Sequence, residues 1–214
     1  RAANALFRIL LQKRWNFSLT EMVENNFDLF SSGKEVRTRL YDFLQERLKS
    51  SLREKGCRAD LVEAVVRDIQ NPFQTSGKLF SLKEMMENRP DDFLAAFKVV
   101  ERTHNILKPI QLQERQGIGE VKPDLFQDEI EKSLWTIYNS KKESIKRLIG
   151  EDAWAEATVQ YGVSFSEKLH QFFEKVLVNV EDPKVRQNRL AIMKEINELY
   201  TKPIADLSKL MMNP

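Results

Sequence analysis

Apolar residues recur along this chain every three or four positions, and no segment alternates with period two over more than a few residues. Val36, Leu40, Phe43/Leu44, Leu48 and Leu52 make one stripe, with Ser32 and Gly33 ahead of it and Gly56 where a C-cap would stand. Phe165, Leu169, Phe172/Phe173, Val176/Leu177 and Val180 make another, opened by Ser164 with Glu167 three residues later, the spacing of a capping box. Val185, Arg189, Ile192/Met193, Ile196 and Leu199/Tyr200 follow Asp182-Pro183, which reads as an N-cap and an N1 proline. With 3.6 residues per turn, each stripe predicts a helix that buries one face.

Further helices are predicted over 2–13, 19–30, 60–69, 82–88, 92–107, 124–148 and 151–160. A last apolar period, 204–212, runs through the region after Pro203, so a kink and a short break both fit. Two stretches read as connections: 71–78, with Pro72, Ser76 and Gly77, and 109–123, with Gly117, Gly119 and two prolines. The second is long for a bundle loop, hence either a mobile insertion or a contact element. The expected fold class is all-α, a multi-helix bundle.

Composition supports that reading. Seven Gly and seven Pro among 214 residues are too few for an all-β fold with a turn every ten residues or so. One Cys and two distant His (His104, His170) exclude a zinc ribbon, a disulfide framework and a Cys/His cluster. No apolar run approaches the ~20 residues of a membrane span. The chain starts with Arg and shows no signal-peptide pattern, so it reads as a piece of a longer, cytoplasmic protein.

Net charge is +2, unevenly spread: residues 1–58 hold 12 Lys+Arg against 7 Asp+Glu, whereas 124–214 hold 13 against 15. The excess includes Arg37, Arg39, Arg47, Lys49, Arg53, Lys55 and Arg58. These form either a solvated helix face or a phosphate-tracking stripe, and their spread around the helix weakens the second reading. No phosphate loop, nucleophile elbow or paired His motif is present, so the chain is expected to be non-catalytic. Cys57 reads as a small structural residue, His104 as a hydrogen-bonded core histidine and His170 as lying at the core rim. Asp91/Asp92, Glu151/Asp152 and Glu181/Asp182 stand where helices begin, complementing the helix dipole. Trp15 and Phe17, after Lys13-Arg14, either stack on a base or fill the core at a helix turn.

Residues 180–193, VEDPKVRQNRLAIM, are the most informative stretch. They resemble the E-D-x-x-[LV]-R-x-N-R-L-x-[LI]-[LM] helix start of DALR-type anticodon-binding domains, found in arginyl-tRNA synthetases and in the β subunit of bacterial heterotetrameric glycyl-tRNA synthetase. Other blocks favour the glycyl β-subunit family. Residues 172–179, FFEKVLVN, are similar to its F-F-D-x-V-x-V segment, and 204–210, IADLSKL, to its V-A-D-F-S-x-[LI] terminus. Residues 39–48 and 56–65, RLYDFLQERL and GCRADLVEAV, resemble its F-x-x-E-R-L … G-x-R-x-D-[LV]-[IV]-[DE]-A-V block. Residues 1–11, RAANALFRILL, resemble the helix that opens its C-terminal region. One block departs. The family's A-[FL]-K-R-V-x-N-I-L has extra residues here between Lys98 and Asn105-Ile106-Leu107, so either Arg102 fills the basic role or the helix is re-registered.

The resemblance implies a helical segment over 1–92 leading into a DALR-type bundle over 93–214. It implies a tRNA-binding part of glycine–tRNA ligase that recognises the anticodon arm of glycine tRNA. The partner α subunit would form the adenylate with ATP and Mg²⁺, so no cofactor is expected in this chain. Glycine anticodons end in two cytosines, whose amino groups need acceptors, and loop phosphates need cations. The candidate tRNA-binding residues are Arg186, Asn188 and Arg189 at one helix start and Arg102, Asn105 and Lys108 near another helix end. Each has a structural reading beside this one: Arg186 can pair with Asp182 across a turn, Arg189 lies on the apolar stripe, and Asn105 can cross-link helices. The competing function is a helical scaffold for subunit assembly without RNA contact, which would expose a contiguous apolar patch.

Overall fold

The computed structural model describes residues 2–30, 33–113 and 118–211, and the side chains of all of these except 28–30 and 110–113. Ser32, Gly117 and Met212, to which the sequence pattern assigns roles, and Arg1 of the first family block, lie outside the described residues. The elements are α1 (Ala2–Gln12), α2 (Leu19–Phe30), α3 (Lys34–Arg53), α4 (Ala59–Val65), α5 (Pro72–Asn88), α6 (Pro90–Gln113), α7 (Glu129–Gly150), α8 (Trp154–Lys175) and α9 (Pro183–Thr201). Single 3₁₀ turns lie at Pro123–Leu125 and Leu207–Lys209, and no strand is present among the described residues.

Several boundaries differ from the periodicity, each for a local reason. Pro72 does not break a connection; it follows Asn71, whose side-chain oxygen accepts from Gln74 N–H at 3.0 Å, and α5 runs through Gly77 to Asn88. Pro109 likewise lies inside α6, which continues to Gln113. The helix expected from residue 124 starts at Glu129, because Asp128 and Glu131 form a reciprocal capping box there. Ser164 does not start a helix: α8 is continuous from Trp154, and beyond Lys175 the chain is non-helical to residue 180, with a bend at 178–179. α4 stops at Val65, short of the expected 69. After Pro203 the helical period gives way to a short break, and only a 3₁₀ turn follows.

The chain forms two compact units, 1–83 with 209–214, and 84–208, where the sequence reading divides at 92/93. In the first unit Phe7 and Leu10 of α1 are buried, as are Leu44, Leu48 and Leu52 of α3. α3 ends in a turn where Gly56 adopts φ +79°, a left-handed conformation that favours glycine.

The second unit is a bundle of α6, α7, α8 and α9. Its buried layer includes Phe93, Ala96, Val99 and Val100 of α6, Tyr161, Phe165, Leu169 and Phe172 of α8, and Ile192, Met193, Ile196 and Tyr200 of α9. Tyr161 stacks on Tyr200 with ring centroids 4.7 Å apart, its hydroxyl donating to Ile196 C=O at 3.1 Å. Burial pushes both tyrosine hydroxyls far above the ordinary range. Gly162 is what lets α8 approach α6 so closely: a Cβ there would stand 2.7 Å from Ala96 N and 3.1 Å from Ala95 Cβ.

Candidate functional site

The basic residues along α3 are largely neutralised. Arg37 pairs with Glu24 at 2.7 Å, Arg39 with Glu35 at 2.6 Å, and Lys49 with Glu46 and Glu63 at 2.9 and 2.7 Å. Arg53 also meets Glu63, Arg58 meets Asp60, and Arg47 lies over the Phe43 ring. Burial disfavours the Lys49 charge, but its two carboxylate partners outweigh that and hold its pKa above the ordinary lysine value. A phosphate-tracking stripe along this helix is therefore mostly spent on internal pairs.

The candidates at the start of α9 fall into the interior. Asp182 caps the helix, its carboxylate accepting from Lys184 N–H at 2.8 Å and Val185 N–H at 3.4 Å. Asn188, 3% exposed, brackets the backbone of Lys122: its oxygen accepts from Lys122 N–H at 2.6 Å and its amide donates to Lys122 C=O at 3.0 Å. Arg189, 6% exposed, donates from Nε to Glu131 Oε1 at 2.6 Å and from Nη1 to Leu177 C=O at 2.8 Å. The second oxygen of Glu131 accepts from Gln127 and Asp128 N–H at 2.6 and 2.8 Å. Both side chains make these bonds within the protein, which gives each a structural role. Arg186 is half-buried beside them.

The α6 candidates stand differently. Arg102 and Asn105 line an open groove of about 370 Å³ with Ile106 of α6 and His170, Phe173 and Glu174 of α8. Asn105 is exposed, Arg102 half-buried, and Lys108, three residues beyond Asn105, is exposed. His170 is an exposed groove residue whose Nε2 lies 3.3 Å from Glu174 Oε1. His104 is half-buried rather than a core histidine; the core position next to it is Thr103, which accepts from Asn197 Nδ2 at 2.8 Å. The α8 contributions were missed in the sequence, although Phe173 and His170 share a helix face beside the buried stripe Phe165–Leu169–Phe172.

The groove thus gathers an aromatic ring, a guanidinium, an amide and a carboxylate within one bundle. Two family models match the chain: "Glycyl-tRNA synthetase beta subunit" over residues 1–67 and "DALR anticodon binding domain" over residues 98–202, which contains the whole groove. The chain is similar to the glycyl-tRNA synthetase β subunit over nearly its whole length. It is similar to the glycine–tRNA ligase β subunit of Acidithiobacillus ferrooxidans, 30% identical over 98% of this chain and 30% of that protein. The corresponding subunit of Thermodesulfovibrio yellowstonii is 28% identical over 98% of this chain and 30% of its own length. That of Lactococcus lactis is 30% identical over 97% and 28%. The chain therefore spans less than a third of the length of the curated relatives it matches. Among the described residues no group of three metal-ligating side chains is assembled, and no helix is long and apolar enough to cross a membrane.

Proposed function

We propose that this chain is a tRNA-binding, non-catalytic part of glycine–tRNA ligase, and that the α6–α8 groove receives an unpaired base of the anticodon arm of glycine tRNA. The observation that carries the reading is the make-up of the groove. Phe173 offers a stacking face, Arg102 offers a cation for a phosphate, and Asn105 and Glu174 offer the acceptors that a cytosine amino group needs, while Lys108 is exposed further along α6. In the assembled enzyme the α subunit would supply adenylate formation with ATP and Mg²⁺, in the cytoplasm, and this chain would hold the tRNA.

The scaffold reading asks for a contiguous apolar surface. Within the DALR bundle the exposed large apolar side chains, among the described residues, are Val163 and Leu177, which favours the RNA reading.

The test is equilibrium binding of the chain to a glycine tRNA transcript and to one with the two anticodon cytosines replaced. The reading expects tighter binding of the first, loss of that preference in Asn105→Ala, and weaker binding of both transcripts in Arg102→Ala. Equal affinity for both transcripts would refute anticodon reading by the isolated chain. An unchanged preference in Asn105→Ala together with unchanged affinity in Arg102→Ala would refute the groove.

A further inference from the structure

Trp15 stands out among the residues of the first unit. α1 closes with a Schellman-type turn: Trp15 N–H donates to Leu10 C=O at 3.2 Å, Lys13 N–H to Ile9 C=O at 2.9 Å, and Arg14 between them sits at φ +53°. That left-handed position ordinarily belongs to glycine, because a Cβ crowds the neighbouring carbonyl. The residue after it ordinarily folds an apolar side chain back onto the last helical turn. Trp15 instead remains 54% exposed.

The segment is tied down on its far side. Leu19 N–H donates to Gln70 C=O at 2.8 Å, and Asn71 Nδ2 donates to Asn16 Oδ1 at 2.5 Å. The indole is therefore presented from a fixed turn. Its chain neighbours Gln12, Lys13, Arg14 and Asn16 are all exposed and polar, and Ile9, one turn back, is the nearby exposed apolar residue on α1. Neither Lys13 nor Arg14 enters an ion pair among the described residues, in contrast to Arg37, Arg39, Lys49, Arg53 and Arg58. A protein-docking tryptophan would be expected within an apolar rim. An aromatic face flanked by two uncompensated cations suits a polyanion that also carries flat rings.

We propose that Trp15, Lys13 and Arg14 form a second RNA contact, in which an unpaired nucleotide stacks on the indole while its flanking phosphates meet the two cations. The contact uses neither Arg102 nor Asn105, so it does not depend on the groove reading the anticodon. Stacking on indole is tolerant of base identity, and the contact is accordingly specific for single strands rather than for sequence.

The test titrates the chain, at low salt, with a six-nucleotide single-stranded oligoadenylate and with a long blunt RNA duplex, compared at equal phosphate concentration. Tryptophan emission and the anisotropy of the labelled RNA are followed together. The single strand should quench emission and bind more tightly than the duplex. Trp15→Ala should lower affinity for the single strand about tenfold and abolish most of the quench. Arg14→Gly separates charge from fold: it should raise the thermal midpoint by relieving the left-handed residue, yet make the salt dependence of log K shallower by about 0.7. Single-strand binding by Trp15→Ala within twofold of the wild type would overturn the proposal. So would the absence of binding by a wild-type chain with native circular dichroism, which would leave the indole to a protein partner. Arg102→Ala and Asn105→Ala should keep the oligoadenylate quench, so failure of the anticodon reading and failure of this contact register separately.

Discussion

Arg189 offers the sharpest way to separate a structural arginine from an RNA-reading one. Its partner Glu131 is 0% exposed, and the guanidinium Nε stands 2.6 Å from that carboxylate. Arg189→Met keeps much of the aliphatic volume while leaving a buried carboxylate without its cation. Removing one member of a buried pair costs about 3–5 kcal/mol. Two features set where in that range it falls. Glu131 retains two backbone N–H donors, from Gln127 and Asp128, which favours the low end. Leu177 C=O loses its guanidinium donor, which adds about 1 kcal/mol. The expected loss is therefore about 3–4 kcal/mol. In the double variant Glu131→Gln/Arg189→Met the buried charge is gone and the amide oxygen can still accept from the capping N–H groups. It should recover about 2 kcal/mol of coupling. Urea unfolding followed by tryptophan emission is suitable, because Trp135 and Trp154 both lie in the unit that contains the pair. At a temperature where the single variant is folded, its affinity for glycine tRNA should match the wild type. A destabilisation below about 1 kcal/mol, or lost tRNA affinity in a fully folded variant, would refute the structural assignment.

Gly162→Ala should destabilise the same unit by about 1–2 kcal/mol in urea titration, because the gain in helix propensity is outweighed by a Cβ forced to 2.7 Å from Ala96 N. Asn188→Ala should cost about 1–2 kcal/mol and speed hydrogen exchange at the Lys122 amide, whose acceptor it removes, while leaving tRNA affinity unchanged. In the first unit, Asp60 and Glu63 feel burial raising their pKa values. Hydrogen bonds and charge from Arg58 at Asp60, and from Lys49, Arg53 and Lys209 at Glu63, outweigh it and hold both below the ordinary 3.8 and 4.5. Their folded values being depressed, they contribute stability that is fully present above the unfolded carboxylate range and lost as pH falls below about 4. An acid titration by circular dichroism should show that limb, and Glu63→Gln should flatten it.

Helix phase was legible in the sequence because burial of one face imposes it: Asp182-Pro183 opens α9, and Val185, Ile192, Met193, Ile196 and Tyr200 are buried as their spacing requires. What local signals could not arbitrate was whether a potential breaker lies inside a helix or at its end. Pro72 and Asn71 form a good helix start but were indistinguishable from a turn, since proline suits both. Ser164 with Glu167 mimics a capping box, yet Tyr161, Gly162 and Phe165 on either side are buried in one unbroken helix, and tertiary burial overrides a local cap. Arg189 carried its own warning, a charge on an apolar stripe; the structure supplies the reason in Glu131 and Leu177 C=O. The groove was half legible. Arg102, Asn105 and Lys108 follow one another on α6, whereas His170 and Phe173 join them only because α6 and α8 are neighbours, and no one-dimensional period encodes which helices pair.

That distribution also bears on how a chain of net charge +2 would bind RNA in the proposed function. If affinity came from a bulk positive field, α3 would have to carry it, but Glu24, Glu35, Glu46, Glu63 and Asp60 take up five of its seven basic side chains or those at its exit. Exposed ion pairs of this kind contribute little to stability individually, so their main effect is to cancel potential over that surface. Cations beside aromatic surface include Arg102, which shares the groove with Phe173, Arg47 over Phe43, and Lys13 and Arg14 just before Trp15 in the chain. Few phosphate contacts mean weak non-specific binding, which a component of a larger enzyme can tolerate because neighbouring contacts raise the effective concentration of the RNA. In the proposed function discrimination would then fall to stacking and to base-edge hydrogen bonds, the interactions that mixed amide, carboxylate and aromatic side chains can make.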